Sequence, residues 1–182
     1  KDVSWYGALN SLSQVIIKAT APGLPDFYQG TELWDLSLVD PDNRRPVDYE
    51  SRRGLLGEIK KTYSEDPSGT GLRLLERVED GSVKLFLVHR ALSARTEMET
   101  LFSAGEYIPL SVGGEKSGHI IAFARLLRDD WAITIATRLH TGLAGPEVPP
   151  LGEEVWRDTC IELPEKAPAK WKDLITGRSI LA

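Results

Sequence analysis

Apolar residues Trp5, Ala8, Leu9, Leu12, Val15, Ile16 and Ala19 recur at intervals of three and four, which predicts an amphipathic helix over 4–20. Ser4 is its candidate N-cap and Pro22-Gly23 its stop. The short apolar run Leu24–Tyr28 has the length of a buried strand, with Gln29-Gly30 as its exit. A long polar loop follows, after which Asp48 caps a second predicted helix with Leu55, Leu56, Ile59 and Tyr63 on one face. Ser64–Gly71, holding Pro67 and two glycines, reads as a linker. Leu72–Val78 suits a short helix or an extended segment, and the pattern does not separate them. Val83, Leu85, Phe86, Leu87, Leu92, Met98, Leu101 and Phe102 mix with charge as in one or two helices.

The period then changes. Tyr107–Val112, His119–Leu127 and Trp131–Leu139 are rich in branched and aromatic residues at strand length, with turns at Gly113-Gly114 and Arg128-Asp129-Asp130. A Pro- and Gly-rich gap over 142–152 precedes candidate strands at Thr159–Leu163, Trp171–Ile175 and Ser179–Leu181. The predicted class is α+β in three segments. Residues 1–63 follow the helix, strand and loaded-loop order of the end of a (β/α)8 barrel. Residues 64–104 form a helical connection, and 105–182 a small antiparallel, sandwich-like sheet domain. No internal repeat or low-complexity tract is present.

Composition narrows the partners. The 182 residues carry a net charge of −5, which argues against a general nucleic-acid binder, because phosphate contacts need clustered Lys and Arg. No apolar run approaches the ~20 residues of a membrane span, and no basic-then-apolar leader opens the chain. The immediate start in a helix pattern suggests a cut within a larger polypeptide. The lone Cys160 fits a reducing compartment and reads as a small buried hydrophobe.

The chemistry is concentrated in the loop. Asp26, Tyr28, Gln29, Trp34, Asp40, Asp42, Asn43, Arg44, Arg45 and Asp48 supply carboxylates, amides, guanidiniums and rings within 23 positions. Such a set can hydrogen-bond sugar hydroxyls and cover a sugar's apolar face. The same residues can equally hold a long loop together through Asp–Arg pairs and Asx turns. Both uses stay open.

Asp40-x-Asp42 opens like a calcium loop, but Arg44 stands where a third oxygen ligand belongs, and the glycine and terminal Glu are missing at their spacings. His89, His119 and His140 lack partners at metal-ligand spacing and read as structural. No phosphate-binding glycine loop and no serine nucleophile elbow appears, so no cofactor or metal is expected. Trp131, Trp156 and Trp171 read as core rather than as a sugar-stacking platform.

The run Pro22-Gly23-Leu24-Pro25-Asp26-Phe27-Tyr28-Gln29-Gly30-Thr31-Glu32 resembles the P-G-x-P-x-x-Y-x-G-x-E pattern at the eighth barrel strand of the α-amylase family. The continuation Leu33–Tyr49 is similar to the trehalose-forming branch of that family. Val83–Phe86, Ala122–Arg125, Trp156–Thr159 and Trp171–Gly177 fit the C-terminal end of the same branch.

The resemblance implies an isomerase of carbohydrate metabolism, cytoplasmic and acting in trehalose biosynthesis. It would convert the reducing-end α-1,4 linkage of a maltooligosaccharide into an α,α-1,1 linkage by intramolecular transglucosylation. The family's catalytic Asp, Glu and second Asp lie near earlier strands, and the motifs that carry them are not found in this chain. Glu32 and Asp26 do not fill those roles.

What remains implied is a C-terminal part, inactive alone, whose partners are the maltooligosaccharide and the remainder of its own polypeptide. Its substrate-binding candidates are Asp26, Tyr28, Gln29, Asp40, Asp42, Asn43, Arg44, Arg45 and Asp48. Alternatives are a stand-alone carbohydrate-binding or structural β module, and part of another α-amylase-family enzyme.

Overall fold

The computed structural model describes residues 2–39 and 44–182. The chain divides into two compact units, one made of residues up to Leu24 with Arg95–Ala169, the other of Pro25–Ala94 with Lys170–Ala182. This spatial division cuts across the sequence segments 1–63, 64–104 and 105–182. The class is α+β, with short antiparallel sheets and helices.

In the first unit, helix α1 runs over Asp2–Thr20 and packs on strand β4 (Asp130–Thr137). Ser4 lies inside its first turn, so it is not the cap. Helix α5 (Glu99–Ala104) and strands β1 (Glu106–Pro109), β3 (Ile120–Leu127) and β4 (Asp130–Thr137) complete the core of this unit. The sheet order is β1-β3-β4, with Ile108 opposite Ala124 and Ala124 opposite Ile133. Trp5, Leu9, Val15, Ala19, Leu101, Phe102, Phe123 and the small Ala122, Ala124 and Ala136 are buried. Alanines on the sheet allow a helix to approach closely, and branched residues would not. Arg128, at φ 58°, supplies the positive dihedral of the two-residue β3–β4 turn.

The run Tyr107–Val112 does not form one strand. The Leu110 amide still donates to the Ala122 carbonyl of β3 at 3.1 Å, after which the chain leaves it, and strand β2 (Val112–Gly113) pairs instead with β5 (Cys160–Ile161). Cys160 is exposed, against expectation: its strand is part of a separate two-residue ladder and not of the three-stranded sheet that carries the buried residues. Helix α6 (Glu153–Trp156) precedes it.

Helices α2 (Tyr49–Glu65), α3 (Pro67–Leu75) and most of α4 (Ser82–Glu97) build the second unit, with Ile59, Leu74, Val78, Val83, Leu85, Phe86, Val88 and Ala91 buried. Ser64–Gly71 is not a linker. Asp66 accepts from the Gly69 amide at 3.0 Å, Pro67 takes the first helical position where its missing N–H costs nothing, and a helix follows. Strands β6 (Lys170–Lys172) and β7 (Ser179–Leu181) form a separate hairpin in this unit, and Arg90 reaches the Leu174 carbonyl with two donors at 2.9 and 2.6 Å. Among the described residues the strands therefore form three small antiparallel sheets rather than one sandwich-like domain. A single sheet would require one continuous ladder, and the register breaks at Leu110–Ser111 and again before Lys170.

The buried strand expected over Leu24–Tyr28 does not form. A strand needs a neighbour for its backbone N–H and C=O groups, and every strand among the described residues pairs elsewhere. Leu24 is 93% exposed. Among the described residues no helix is long and apolar enough to cross a membrane.

Candidate functional site

The loop from Pro25 to Asp48 lies wholly in the second unit, and its described part is stapled from one side. Tyr28–Thr31 is a tight turn closed by the Thr31 amide and hydroxyl on the Tyr28 carbonyl, at 3.1 and 2.7 Å. Gly30 holds φ +89° there, and a Cβ would sit 3.2 Å from Val47 Cγ2, so the position takes glycine on both counts.

Arg52, one turn into α2, is the centre of the staple. Its Nε donates to Glu32 Oε2 at 3.1 Å, Nη1 to the Asp48 carbonyl at 3.0 Å and Nη2 to the Gly30 carbonyl at 2.9 Å. The planar guanidinium suits three acceptors in one plane, which a lysine ammonium cannot match.

Further along, Trp34 Nε1 donates to the Val78 carbonyl at 2.5 Å, and Lys84 Nζ donates to the Leu33 carbonyl at 3.1 Å while lying 5.4 Å from the Trp34 ring centroid. Gly81, at φ +76°, lets the backbone come close: a Cβ would meet Trp34 N at 3.1 Å. Asp35 closes an Asx turn on the amide and hydroxyl of Ser37, and those two bonds hold its carboxyl below the ordinary carboxylate value.

The candidate residues divide accordingly. Asp48 caps α2 as expected: Oδ1 accepts from the Ser51 amide at 3.0 Å and Oδ2 from the Ser51 hydroxyl at 2.5 Å, so both oxygens are engaged. These bonds, the hydroxyl's first, hold its carboxyl below the ordinary value. Gln29 Oε1 accepts from the Tyr49 hydroxyl at 3.2 Å. Asp26, Tyr28, Gln29, Arg44 and Arg45 are exposed. Asp40, Asp42 and Asn43 lie outside the described residues. Glu32 is paired with Arg52 rather than presented to solvent as an acid.

Scaffolding therefore accounts for much of the described loop. Sequence reading missed Arg52, Lys84 and the Trp34–Val78 bond. These are contacts across 20, 51 and 44 positions, which no local spacing announces.

His140 is 3% exposed, with Nε2 2.8 Å from Thr137 Oγ1 and Nδ1 3.1 Å from Asn10 Oδ1. Burial pushes its imidazole below the ordinary value, and the nearby His119 adds to that. Trp131, Trp156 and Trp171, expected in the core, are only half-buried, on β4, α6 and β6, three separate elements. Among the described residues no group of three or more His, Cys, Asp or Glu is arranged to hold a metal.

No family model matches the chain. Two Mycobacterium tuberculosis proteins, from strains CDC 1551 and H37Rv, whose provisional name is maltooligosyl trehalose synthase, are each 33% identical over 168 residues. The match takes in 92% of this chain and 17% of each relative. The solved maltooligosyltrehalose synthase of Arthrobacter ramosus superposes with a TM-score of 0.72 at 35% identity, over 98% of this chain and 20% of that one. This chain is homologous to the maltooligosyltrehalose synthases.

A further maltooligosyl trehalose synthase crystal structure matches with a TM-score of 0.65 at 28% identity, again over 98% of this chain and 20% of that one. The likeness is to the C-terminal part of the synthases, and the chain spans about a fifth of the solved synthase's length. In synthase terms, the P-G-x-P-x-x-Y-x-G-x-E segment forms no strand; it carries the turn Tyr28–Thr31, and its terminal Glu32 is bound by Arg52. The homology thus attaches to residues whose local geometry is built by specific hydrogen bonds.

Proposed function

We propose that this chain acts as the C-terminal part of a maltooligosyltrehalose synthase, a cytoplasmic isomerase of trehalose biosynthesis. In that reading, the loop Asp26–Asp48 forms part of the sugar site at the end of the eighth strand of a catalytic barrel. The substrate is a maltooligosaccharide. The intact enzyme breaks the reducing-end α-1,4 bond through a covalent glycosyl intermediate, and the released glucose turns and attacks through its anomeric hydroxyl to give the α,α-1,1 linkage. A retaining step of this kind needs two carboxyl groups about 5–5.5 Å apart. The catalytic carboxylates come from earlier strands, so the chain alone does not catalyse.

The single observation that supports this most is the synthase likeness over nearly the whole chain, at 33% and 35% identity. The loop's construction agrees with it. Arg52, Trp34 and Lys84 hold the backbone on one side, while Asp26, Tyr28, Arg44 and Arg45 are exposed. Keeping the freed glucose in place while water is excluded calls for such a stapled polar loop. Asp40, Asp42, Asn43, Arg44 and Arg45 grip hydroxyls, and Asp48 holds the start of α2 behind them.

The test is the partition between hydrolysis and rearrangement in the intact synthase. Arg44→Ala and Asp42→Ala each raise free glucose relative to trehalosyl product several-fold. Unchanged partitioning in both variants refutes the assignment.

A further inference from the structure

A glutamine amide can offer a ligand either of its two ends: the oxygen accepts hydrogen bonds and the NH2 donates them. For Gln29 a neighbour makes the choice. The Tyr49 hydroxyl donates to Gln29 Oε1 at 3.2 Å, across 20 positions, and so engages the accepting end. The NH2, on the other branch of the planar amide, is thereby turned away from Tyr49.

Both partners stand on anchored backbone of the second unit. Tyr49 opens α2 directly after the cap Asp48, with its amide on the Val47 carbonyl at 3.0 Å. Gln29 lies inside the turn that Thr31 closes on Tyr28, and Arg52 of α2 holds the adjacent Gly30 carbonyl at 2.9 Å. Gln29 is exposed, and Tyr49 is 45% exposed, so this is a surface pair and not a core contact. An exposed bond of this length adds little to folding. What it adds is order: a glutamine loses side-chain freedom when it grips a ligand, and one already held loses less.

On the reading of this loop as part of a sugar site, on which the inference rests, we propose that Tyr49 is a positioning residue for Gln29. The pair makes Gln29 a hydrogen-bond donor to an oxygen of the sugar, and not an acceptor from a sugar hydroxyl. Tyr49 acts through the amide it holds. Glutamate at position 29 separates the two halves of the proposal, because its carboxylate keeps and strengthens the bond from Tyr49 while losing the donor.

The kinetics of the intact synthase test this in Gln29→Ala, Gln29→Glu, Tyr49→Phe and the double variant Tyr49→Phe with Gln29→Ala. Gln29→Ala raises KM for the maltooligosaccharide about 10-fold, the size of one lost hydrogen bond, and Gln29→Glu raises it at least as far. Tyr49→Phe removes only the hydroxyl. It raises KM about 3-fold with a smaller change in kcat, and it leaves the thermal midpoint of the 182-residue chain where it was. In the Gln29→Ala background Tyr49→Phe adds nothing further, because its effect passes through the amide.

A parental KM in Gln29→Glu overturns the donor assignment. An undiminished effect of Tyr49→Phe in the Gln29→Ala background overturns the positioning role, since Tyr49 then acts by another route. A parental KM in both Gln29→Ala and Tyr49→Phe overturns the whole inference, and the sugar-site reading survives it if Arg44→Ala still shifts partitioning. If Arg44→Ala and Asp42→Ala shift nothing either, that reading falls and takes the inference with it.

Discussion

Arg52→Ala removes the staple from the loop that carries the candidate site. Three bonds go at once: to Glu32 Oε2, the Gly30 carbonyl and the Asp48 carbonyl, at 3.1, 2.9 and 3.0 Å. A net hydrogen bond contributes about 1 kcal/mol, and one to a charged partner about 1.5–3 kcal/mol. The Arg52 and Glu32 side chains are 19% and 26% exposed, so solvent screening moves their pair to the low end of that range. The two bonds that reach residues 30–36, to Glu32 and to the Gly30 carbonyl, sum to about 2–3 kcal/mol against local opening of that stretch.

At about 1.4 kcal/mol per factor of ten, amide exchange in that stretch should rise about 30-fold to 150-fold. Arg52→Lys keeps the attraction to Glu32 but reaches only one of the carbonyls, and should recover less than half of the loss. Glu32→Gln keeps an acceptor and should cost under about 1 kcal/mol. Hydrogen exchange read by mass spectrometry at matched pH measures all three. An Arg52→Ala loss below about 0.5 kcal/mol refutes the staple, because that is the size of an ordinary surface substitution.

Other consequences follow from the same kind of accounting. The buried His140 imidazole titrates below its unfolded value of about 6.5 in the folded chain, so its contribution to stability is full above that pH and is lost as pH falls through the lowered value. Denaturation midpoints measured from pH 7.5 to 5 should fall, and His140→Gln should flatten the fall; an equal slope in both contradicts this. Arg157 holds φ 51° and ψ −124°, and the Thr159 amide closes on the Trp156 carbonyl at 3.0 Å. This is the first central position of a type II′ turn, which glycine favours. Such strain costs about 1–3 kcal/mol, so Arg157→Gly should be at least ~1 kcal/mol more stable than Arg157→Ala, although both lose the exposed bridge to Glu115. Equal melting behaviour of the two variants would remove the strain argument.

Helices with strong periodicity or a clear cap were legible in the sequence. Asp48 before α2 is an example, because a side-chain cap acts over three residues and leaves a local signature. Leu24–Tyr28 misled because an apolar run signals burial only if a partner exists to bury it, and local pattern cannot name that partner. Ser64–Gly71 misled for another reason. Pro67 and its glycines read as breakers, although Asp66 followed by Pro is also the signature of a helix start.

The polar loop was recognisable as a loaded segment with two open uses. The structure shows the scaffolding use in Arg52, Asp35 and Asp48, whose partners lie 2 to 22 positions away. Arg95 and Arg125, which donate to the Ala19 and Thr20 carbonyls at the end of α1, were invisible as helix caps, since they reach it across 76 and 105 positions.

The central claim is that this chain serves a synthase whose bond-breaking carboxylates lie elsewhere in the polypeptide. The direct measurement is product analysis with a maltooligosaccharide of five glucose units, for the 182-residue chain alone and for an intact synthase carrying its sequence. The account predicts trehalosyl product from the intact enzyme and none from the chain alone. Turnover by the isolated chain would contradict it, as would an intact enzyme that forms no α,α-1,1 linkage.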